Sequence, residues 1–199
     1  MVCSQPMKTN FTLFILLIMI FSTSVFAKDL SGIISIKDSV YYLVESNSNQ
    51  KYLIKFFTQD SQEQISKLDK NDYVSFEGQI NADTQEVSIN SINFVGLHKL
   101  IGTWTADDQY CYIFKNFNEL LVYEHKLGTR CSSYQSQSDI KYLTYTVNPS
   151  SSNWFALFSD DLTSYGGDLI IKSKKRIELT IYDSNTGGLV KLVKLVKIR

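Results

Sequence analysis

The second half of this chain is a succession of short segments in which apolar and polar residues alternate. A period of two places successive side chains on opposite faces of a β-strand. Many short strands with polar turns between them are typical of an antiparallel barrel or sandwich. The composition agrees, because 12 Tyr and 12 Phe suit a pleated surface and only 2 Pro interrupt it. Candidate strands cover residues 101–106, 109–115, 118–125, 131–135, 140–147, 153–159, 169–173, 176–182 and 189–198.

Two expected turns and the C-terminal segment depart from this regular alternation. Polar turns are expected at residues 148–150 and at Gly166 and Gly167. The C-terminal segment, 189–198, repeats every three residues, which fits neither a strand nor a helix. Its β-branched residues favour a strand over a helix on a membrane surface. That strand either switches faces through a bulge or is buried on both sides.

Residues 28–97 predict the order strand, strand, strand, helix, strand, strand. The strands cover residues 32–37, 40–45, 51–57, 73–80 and 86–94. Asp60 or Ser61 is the expected N-cap of the short helix, which reaches Leu68. The alternation in the last strand changes parity part-way along, which indicates a bulge near Asn90.

The N-terminus has the pattern of a secretory signal peptide. Lys8 gives it a positive charge, an apolar run covers residues 11–21, and a cleavage region ends at Ala27. The alternative, a membrane anchor, needs about 20 apolar residues, which is longer than this run. We expect cleavage between Ala27 and Lys28, a periplasmic or secreted protein, and no transmembrane segment after cleavage.

The net charge argues against polyanionic partners. Cleavage removes Lys8 from a chain with 20 Lys+Arg and 20 Asp+Glu, which leaves a net charge of −1. Residues 28–97 hold six Lys against ten Asp+Glu. Nucleic acid is therefore not expected as a partner, because binding to its backbone depends on positive charge. One basic cluster remains, at Lys172, Lys174, Lys175 and Arg176. It is expected to be a solvated hairpin tip, with an anion site as the alternative.

Two cysteines remain after cleavage, Cys111 and Cys131. An even number of cysteines in an oxidising compartment favours a disulfide, with two free buried thiols as the alternative. A catalytic thiol is disfavoured, because neither cysteine belongs to a C-x-x-C pair or has a histidine next to it in sequence.

The segment at 68–80 reads Leu-Asp-Lys-Asn-Asp-Tyr-Val-Ser-Phe-Glu-Gly-Gln-Ile. It resembles the run L-x-x-G-D-x-V-x-x-x-G-x-I of many bacterial OB-fold domains. Asn71 stands where that pattern has glycine, and asparagine also tolerates a positive φ. The resemblance implies that residues 28–97 form a five-stranded barrel with one helix.

The tripeptide Gly-Thr-Trp at 102–104 is similar to the G-x-W signature that opens lipocalins and other calycins. The resemblance implies that residues 98–199 form a compact lipocalin-like domain. In that family the Trp closes one end of the barrel beneath a basic residue of the last strand, for which Lys197 or Arg199 is available. The whole chain is thus expected to be all-β with one short helix, an OB-like barrel followed by a small antiparallel lipocalin-like barrel.

The sequence contains no motif for catalysis, cofactor binding or metal binding. His98 and His125 are expected to be surface or packing residues. The acidic pairs at 107–108 and 160–161 are expected in turns, where both carboxylates are solvated. No metal or cofactor is therefore expected. A hydrolase that uses Asp107 or His125 is kept as an alternative.

These features predict an exported, non-enzymatic binding protein for an apolar small molecule or an envelope partner. Alternation makes six aromatic residues candidates for a pocket lining, with plain core packing as their alternative. They are Trp104, Tyr112, Phe114, Tyr123, Tyr145 and Trp154. A protein–protein or envelope-assembly module without a small-molecule ligand is the competing hypothesis. It predicts an exposed apolar or Tyr-rich patch that spans both halves.

Overall fold

The computed structural model describes residues 28–107, 109–125, 131, 139–150 and 153–198. Within these residues the protein is mostly β with one short helix, which confirms the expected fold class. The 13 strands form one hydrogen-bonded sheet that closes on itself at two places, between β4 and β5 and between β9 and β10. The sheet therefore contains two closed circuits of strands, one after the other in the chain.

The first circuit consists of five strands and the helix. They are β1 (Lys28–Lys37), β2 (Val40–Glu45), β3 (Lys51–Phe56), α1 (Gln59–Ser66), β4 (Tyr73–Asn81) and β5 (Glu86–Gly96). β1 pairs with β2 and β4, β3 pairs with β2 and β5, and β4 pairs with β5. Only the β3–β5 pair is parallel, because α1 and β4 carry the chain across between these two strands.

Helix α1 is capped by Thr58, so the prediction of Asp60 or Ser61 was wrong. The backbone of Thr58 is extended, and its Oγ1 accepts a hydrogen bond from the Ser61 amide at 3.1 Å. Asp60 lies in the first turn, where a negative charge also favours the helix. The three neighbouring residue types all suit a helix start, which is why the pattern alone did not separate them. The helix ends at Ser66, before the expected Leu68, which is nevertheless buried.

Strand β5 is bent by two bulges. Its pairing register with β4 skips Asn90 and Asn93. The bulge expected near Asn90 is therefore confirmed, and a second one follows it. Bulges increase the local bend and twist of a strand, which a sheet of few strands needs in order to close.

The second circuit is an eight-stranded antiparallel barrel. It follows a single 3₁₀ turn at His98–Leu100. Its strands are β6 (Gly102–Ala106), β7 (Tyr110–Phe114), β8 (Glu119–Glu124), β9 (Lys141–Pro149), β10 (Trp154–Ser159), β11 (Ser164–Ser173), β12 (Arg176–Asp183) and β13 (Leu189–Lys197). Each strand pairs with the next, and β13 pairs with β6 to close the barrel.

Gly166 and Gly167 lie inside β11, so the turn predicted there was wrong. A Cβ atom on Gly167 would lie 2.8 Å from the carbonyl oxygen of Thr180 on β12. A Cβ atom on Gly166 would lie 2.8 Å from the ring of Phe155 on β10. The glycines allow neighbouring groups to approach the strand closely, which is a second common use of glycine besides turns.

Strands β9 and β13 also differ from the simplest expectation. β9 continues to Pro149, so the turn expected at 148–150 begins later. The C-terminal segment is a strand, as predicted, and its register with β12 skips Val190. Of the two arrangements that the sequence allowed, the structure has the bulge, after which Val193 and Leu195 point into the core.

One residue pair and a group of aromatic side chains join the two circuits. Val95 of β5 pairs with Val147 of β9. Phe117, in the turn between β7 and β8, stacks on Tyr73 of β4 with the ring centroids 5.4 Å apart, and it also fits against Gly96. A single buried core contains residues of both circuits. The division into two domains stays a prediction.

Cys111 of β7 and Cys131 form a disulfide, with their Cα atoms 5.6 Å apart, which confirms the predicted bridge. Tyr123 of β8 packs against it and donates a hydrogen bond from its hydroxyl to the carbonyl oxygen of Cys131. The strand predicted at 131–135 lies outside the described residues except for Cys131, which is in a turn. The bridge ties the connection between β8 and β9 to the outer face of β7.

Gly96→Ala should lower the free energy of unfolding by about 1–3 kcal/mol, because it overpacks the junction between the circuits. A Cβ atom at this position would lie 2.5 Å from Cγ of Phe117. Phe117→Ala removes the obstructing ring, so Gly96→Ala should cost much less in that background. Urea unfolding of the two single variants and the double variant measures the coupling. Strictly additive costs would contradict this account of the junction.

Replacing both Cys111 and Cys131 by alanine should lower the free energy of unfolding by about 3 kcal/mol, because the bridge restricts the unfolded chain. The loop that it closes spans a sequence separation of 20 residues. Urea unfolding under oxidising conditions measures the loss. With a dithiol reductant in the buffer, the wild-type protein should become nearly as unstable as the double variant. Equal stability of the two proteins under oxidising conditions would count against a structural role for the bridge.

Candidate ligand-binding site

A cavity of about 450 Å³ opens at one end of the eight-stranded barrel. Its wall is mainly aliphatic and aromatic, with a few polar groups near the opening. The lining residues are Tyr110, Tyr112, Leu120, Val122, Lys141, Leu143, Phe158, Asp160, Leu162, Thr163, Tyr165, Leu179, Ile181, Val190 and Lys191. Concave, mostly apolar sites with few polar groups are the usual form of a small-molecule pocket.

Strand alternation places these side chains on the inner face of the barrel. Tyr110 and Tyr112 are two residues apart on β7, and Leu179 and Ile181 are two residues apart on β12. Residues at i and i+2 share a face of a strand. β8, β9 and β10 contribute to the wall in the same way, and the connection that follows β10 and the start of β13 contribute to the rim.

The opposite end of the barrel is closed by Trp104, which is fully buried. Its indole Nε1 donates a hydrogen bond to the carbonyl oxygen of Leu100 at 2.7 Å. Lys197 Nζ lies 5.1 Å from the centroid of the Trp104 ring and donates to the carbonyl oxygen of Lys99 at 3.0 Å. The contact expected between Trp104 and the last strand is therefore present with Lys197. Arg199 lies outside the described residues.

An aromatic layer separates the cavity from this closed end. Phe114 and Tyr145 meet edge to face, with their ring centroids 5.1 Å apart, and the ring of Tyr145 lies 6.3 Å from that of Phe158, which lines the cavity. The Tyr145 hydroxyl donates to the carbonyl oxygen of Asn116 at 2.8 Å. Burial raises the pKa of Tyr145, because the charged phenolate would lose its hydration.

The structure separates the six aromatic residues proposed from the sequence. Tyr112 lines the cavity. Phe114, Tyr145, Trp104 and Trp154 belong to the packed core of the barrel, away from the cavity.

Tyr123 is on the other face of β8, against the disulfide, and does not line the cavity. The reason is alternation itself, because its neighbour Val122 points inward. Alternation did not show which parity of β8 faces inward, and the structure places Val122 rather than Tyr123 on that face.

Much of the cavity lining is aliphatic, and the sequence prediction named only aromatic residues. Leu179 and Ile181 carry a period-two signal on β12 that identifies an inward face. No such signal exists for Leu162 and Val190, which lie at the rim with 93% and 54% of their surfaces exposed. Only the folded barrel shows that these two residues border the same opening.

Three charged residues lie at the rim, Lys141, Asp160 and Lys191. Lys191 Nζ lies 4.8 Å from the centroid of the Tyr110 ring. The Asp160 carboxylate accepts hydrogen bonds from the amides of Leu162 and Thr163, at 2.9 and 2.7 Å. These bonds lower the pKa of Asp160, so this acid is charged and shapes the turn after β10.

The residues of the hydrolase alternative lie elsewhere. An oxygen of Asp107 accepts a long hydrogen bond of 3.4 Å from the Lys194 amide. A ring nitrogen of His125 lies within 4.8 Å of the sulfur atoms of Cys111 and Cys131, which are bonded to each other.

None of the helices among the described residues is both long and apolar enough to cross a membrane. Comparison with protein-family models, curated proteins and solved structures found no match to this chain. The geometry of the chain itself therefore carries the functional argument.

Tyr145→Phe should change how stability depends on pH. A buried tyrosine whose pKa is raised above the ordinary value of 10.0 stabilises the fold below that pH and loses this contribution above it, because the unfolded chain ionises first. The variant should therefore be less stable than wild type by about 1 kcal/mol near neutral pH, through the lost hydrogen bond. The difference should shrink above about pH 10.

Urea unfolding at neutral and alkaline pH measures this difference. Tyr142→Phe, at a position on the same strand that is 67% exposed, is the control and should change neither value. A constant difference between wild type and Tyr145→Phe across the pH range would contradict the assignment.

Proposed function

We propose that this protein is a non-enzymatic binding protein that holds a small, largely apolar molecule in the cavity of its eight-stranded barrel. The observation that supports this most is the asymmetry of the barrel. One end is filled by Trp104 and the aromatic layer, while the other end leaves an apolar space of about 450 Å³ that is open to solvent.

The size and the lining of the cavity define the ligand class. Pockets for drug-sized molecules range over about 300–1,000 Å³, and this cavity lies in the lower part of that range. Its inner wall, with Val122, Leu143 and Leu179, favours a hydrocarbon or aromatic body through the hydrophobic effect. The charged rim suits a polar end that stays in contact with water.

The opening itself is bordered by apolar side chains. Leu162 and Val190 are among the most exposed large apolar residues described in this protein. Exposed apolar groups around a concave site are a common feature of ligand-binding grooves. They would cover the ligand once it is bound and so reduce the apolar surface in contact with water.

The strand arrangement supports the two resemblances drawn from the sequence. The antiparallel eight-stranded barrel, its Gly-Thr-Trp start and the Lys197 contact agree with a calycin-like domain. The closed five-strand pairing of the first circuit, with its parallel β3–β5 pair, is consistent with an OB-like barrel. The positive φ of Asn71, +75°, fits the place of the glycine in the OB-fold run. On this proposal the first circuit supports the barrel and has no ligand of its own.

The disulfide and the N-terminal pattern support an exported location, periplasmic or secreted. Disulfides persist in oxidising compartments, and the Cys111–Cys131 bridge is buried within the structure. A binding protein outside the cytoplasm would carry or sequester its ligand there.

A protein–protein module is the second candidate, and one observation favours it. Leu192 and Val196 on the outer face of β13, and Ile198 just after that strand, are exposed by 54%, 47% and 49%. Apolar residues that line one exposed strand face suit contact with another protein. These three residues belong to the barrel alone, whereas the sequence predicts for this hypothesis a patch that spans both halves.

Val122→Trp should weaken binding of an uncharged apolar dye, N-phenyl-1-naphthylamine, because the larger side chain occupies part of the cavity. Val196→Trp is the matched control, since the same substitution lies on the exposed outer face. We expect dissociation constants at least about tenfold weaker for Val122→Trp and unchanged for Val196→Trp, a difference of about 1.4 kcal/mol. Dye fluorescence measures binding, and circular dichroism checks that both variants fold.

Equal dye affinity of the two variants would remove the cavity as the binding site. Native mass spectrometry of the protein purified from its own host identifies the natural occupant. A bound small molecule that is lost with Val122→Trp would support the proposal.

A further inference from the structure

A second cavity, of about 680 Å³, lies between the two circuits near the closed end of the barrel. The segment before β4 forms one wall, and the 3₁₀ turn forms the floor. The hairpin between β11 and β12 and the end of β13 form the other wall. We call this second cavity the interface cleft. Its chemistry differs from that of the apolar cavity, because much of its lining is charged.

The interface cleft carries a local excess of positive charge. Four lysines and two aspartates line it, a net charge of +2 with His98 neutral. The chain as a whole has a net charge of zero. The lysines are Lys70, Lys99, Lys174 and Lys197. They come from both circuits, so only the folded protein brings them together.

Both aspartates of the cleft are already used in building its wall. Asp69 forms an ion pair with Lys99, with 2.5 Å between Oδ2 and Nζ. Asp72 is buried and accepts hydrogen bonds from the amides of Asp69 and His98, each at 2.7 Å. The two carboxylates therefore fix the segment before β4 to the 3₁₀ turn.

The other three lysines lack such acidic partners. Among the described residues, no carboxylate lies within 4.0 Å of Lys70, Lys174 or Lys197. Lys197 is held in place by the Lys99 carbonyl and the Trp104 ring. Its burial lowers its pKa, a cost that a nearby anion would offset. Lys70 and Lys174 are exposed side chains on opposite walls.

We propose that the interface cleft binds a multiply charged oxyanion, a phosphate or diphosphate group, between Lys70, Lys174 and the fixed Lys197. Lysine binds phosphate as a mobile point charge, and the two exposed lysines can close on such a group from opposite walls. Ser173 also lines the cleft. Its Oγ accepts a hydrogen bond from the Lys175 amide at 3.2 Å, which leaves its hydroxyl proton available to an oxyanion.

A multiply charged group is favoured over a single carboxylate because the contributions of exposed lysines are small. Each exposed pair contributes only about 0.2–1 kcal/mol and is weakened by salt. Several lysines acting on one ligand are needed for useful affinity. The site does not depend on the apolar cavity, since the aromatic layer and Trp104 lie between them.

Inorganic pyrophosphate is the probe for the first test, titrated by calorimetry at low ionic strength. The variant Lys70→Gln/Lys174→Gln removes both mobile lysines. The control is Lys172→Gln combined with Lys55→Gln, which removes two charges that are paired with Glu178 and Glu86 and lie outside the cleft. We expect the cleft variant to bind about tenfold more weakly and the control to change by less than about twofold.

Phosphate groups reach such a site on a soluble molecule or on a lipid, and a second test distinguishes these sources. Vesicles that contain phosphatidic acid are compared with vesicles of phosphatidylcholine alone in a sedimentation assay. Pyrophosphate binding without vesicle binding assigns the site to a soluble ligand, and vesicle binding that is lost in the cleft variant assigns it to a lipid head group. Equal losses in the cleft and control variants, or no binding to either probe, would overturn the proposal.

The dye experiment separates this proposal from the proposed function. The cleft variant should bind N-phenyl-1-naphthylamine like wild type, because the apolar cavity is untouched. Unchanged thermal unfolding of the cleft variant shows that any loss of anion binding is not a loss of fold.

Discussion

Closure of the barrel by β13 is the constraint on which the rest of the structure depends. β13 pairs with β6 through only three residue pairs, Leu195–Ala106, Val196–Thr105 and Lys197–Trp104. Without these pairs the eight strands would be an open sheet with two exposed edges and no enclosed space. The last of the three also brings the lysine ammonium next to the indole ring. The pairing that closes the sheet therefore also places Lys197 over Trp104, which fills one end of the barrel.

Side-chain volume along the inner face decides where the closed barrel is solid and where it is hollow. An eight-stranded barrel has an interior that side chains can just fill. Towards the plugged end the inward residues include Phe114 and Tyr145, which pack as a layer. Towards the open end Val122, Leu143 and Ile181 line the cavity together with aromatic residues such as Tyr110 and Tyr165. These side chains leave the cavity open there, and its apolar character results from the residue types.

The two ends of the barrel differ in chemistry because they have different neighbours. The open end meets solvent through apolar rim residues. The plugged end faces the first circuit, and there Asp72 joins the two parts by accepting hydrogen bonds from two backbone amides. Lys197 belongs to both environments, since it covers Trp104 and also lines the interface cleft. The first circuit thus contributes one wall of a site that neither circuit could form alone.

Local chemistry made much of this protein predictable. Alternation and turn residues located most strands, the parity change located the bulge at Asn90, and the cysteine count predicted the disulfide. These properties depend on neighbours in the chain, or on a bond that only two residues can make. The sequence alone also determined which side chains share a strand face, as Tyr110 and Tyr112 do. Only the tertiary structure decided that Gly166 and Gly167 lie in a strand and not in a turn, and that aliphatic residues line the cavity. It also decided that Lys70, Lys174 and Lys197 line one cleft. These outcomes depend on the volume and charge of groups far apart in sequence, which come together only when the sheet closes.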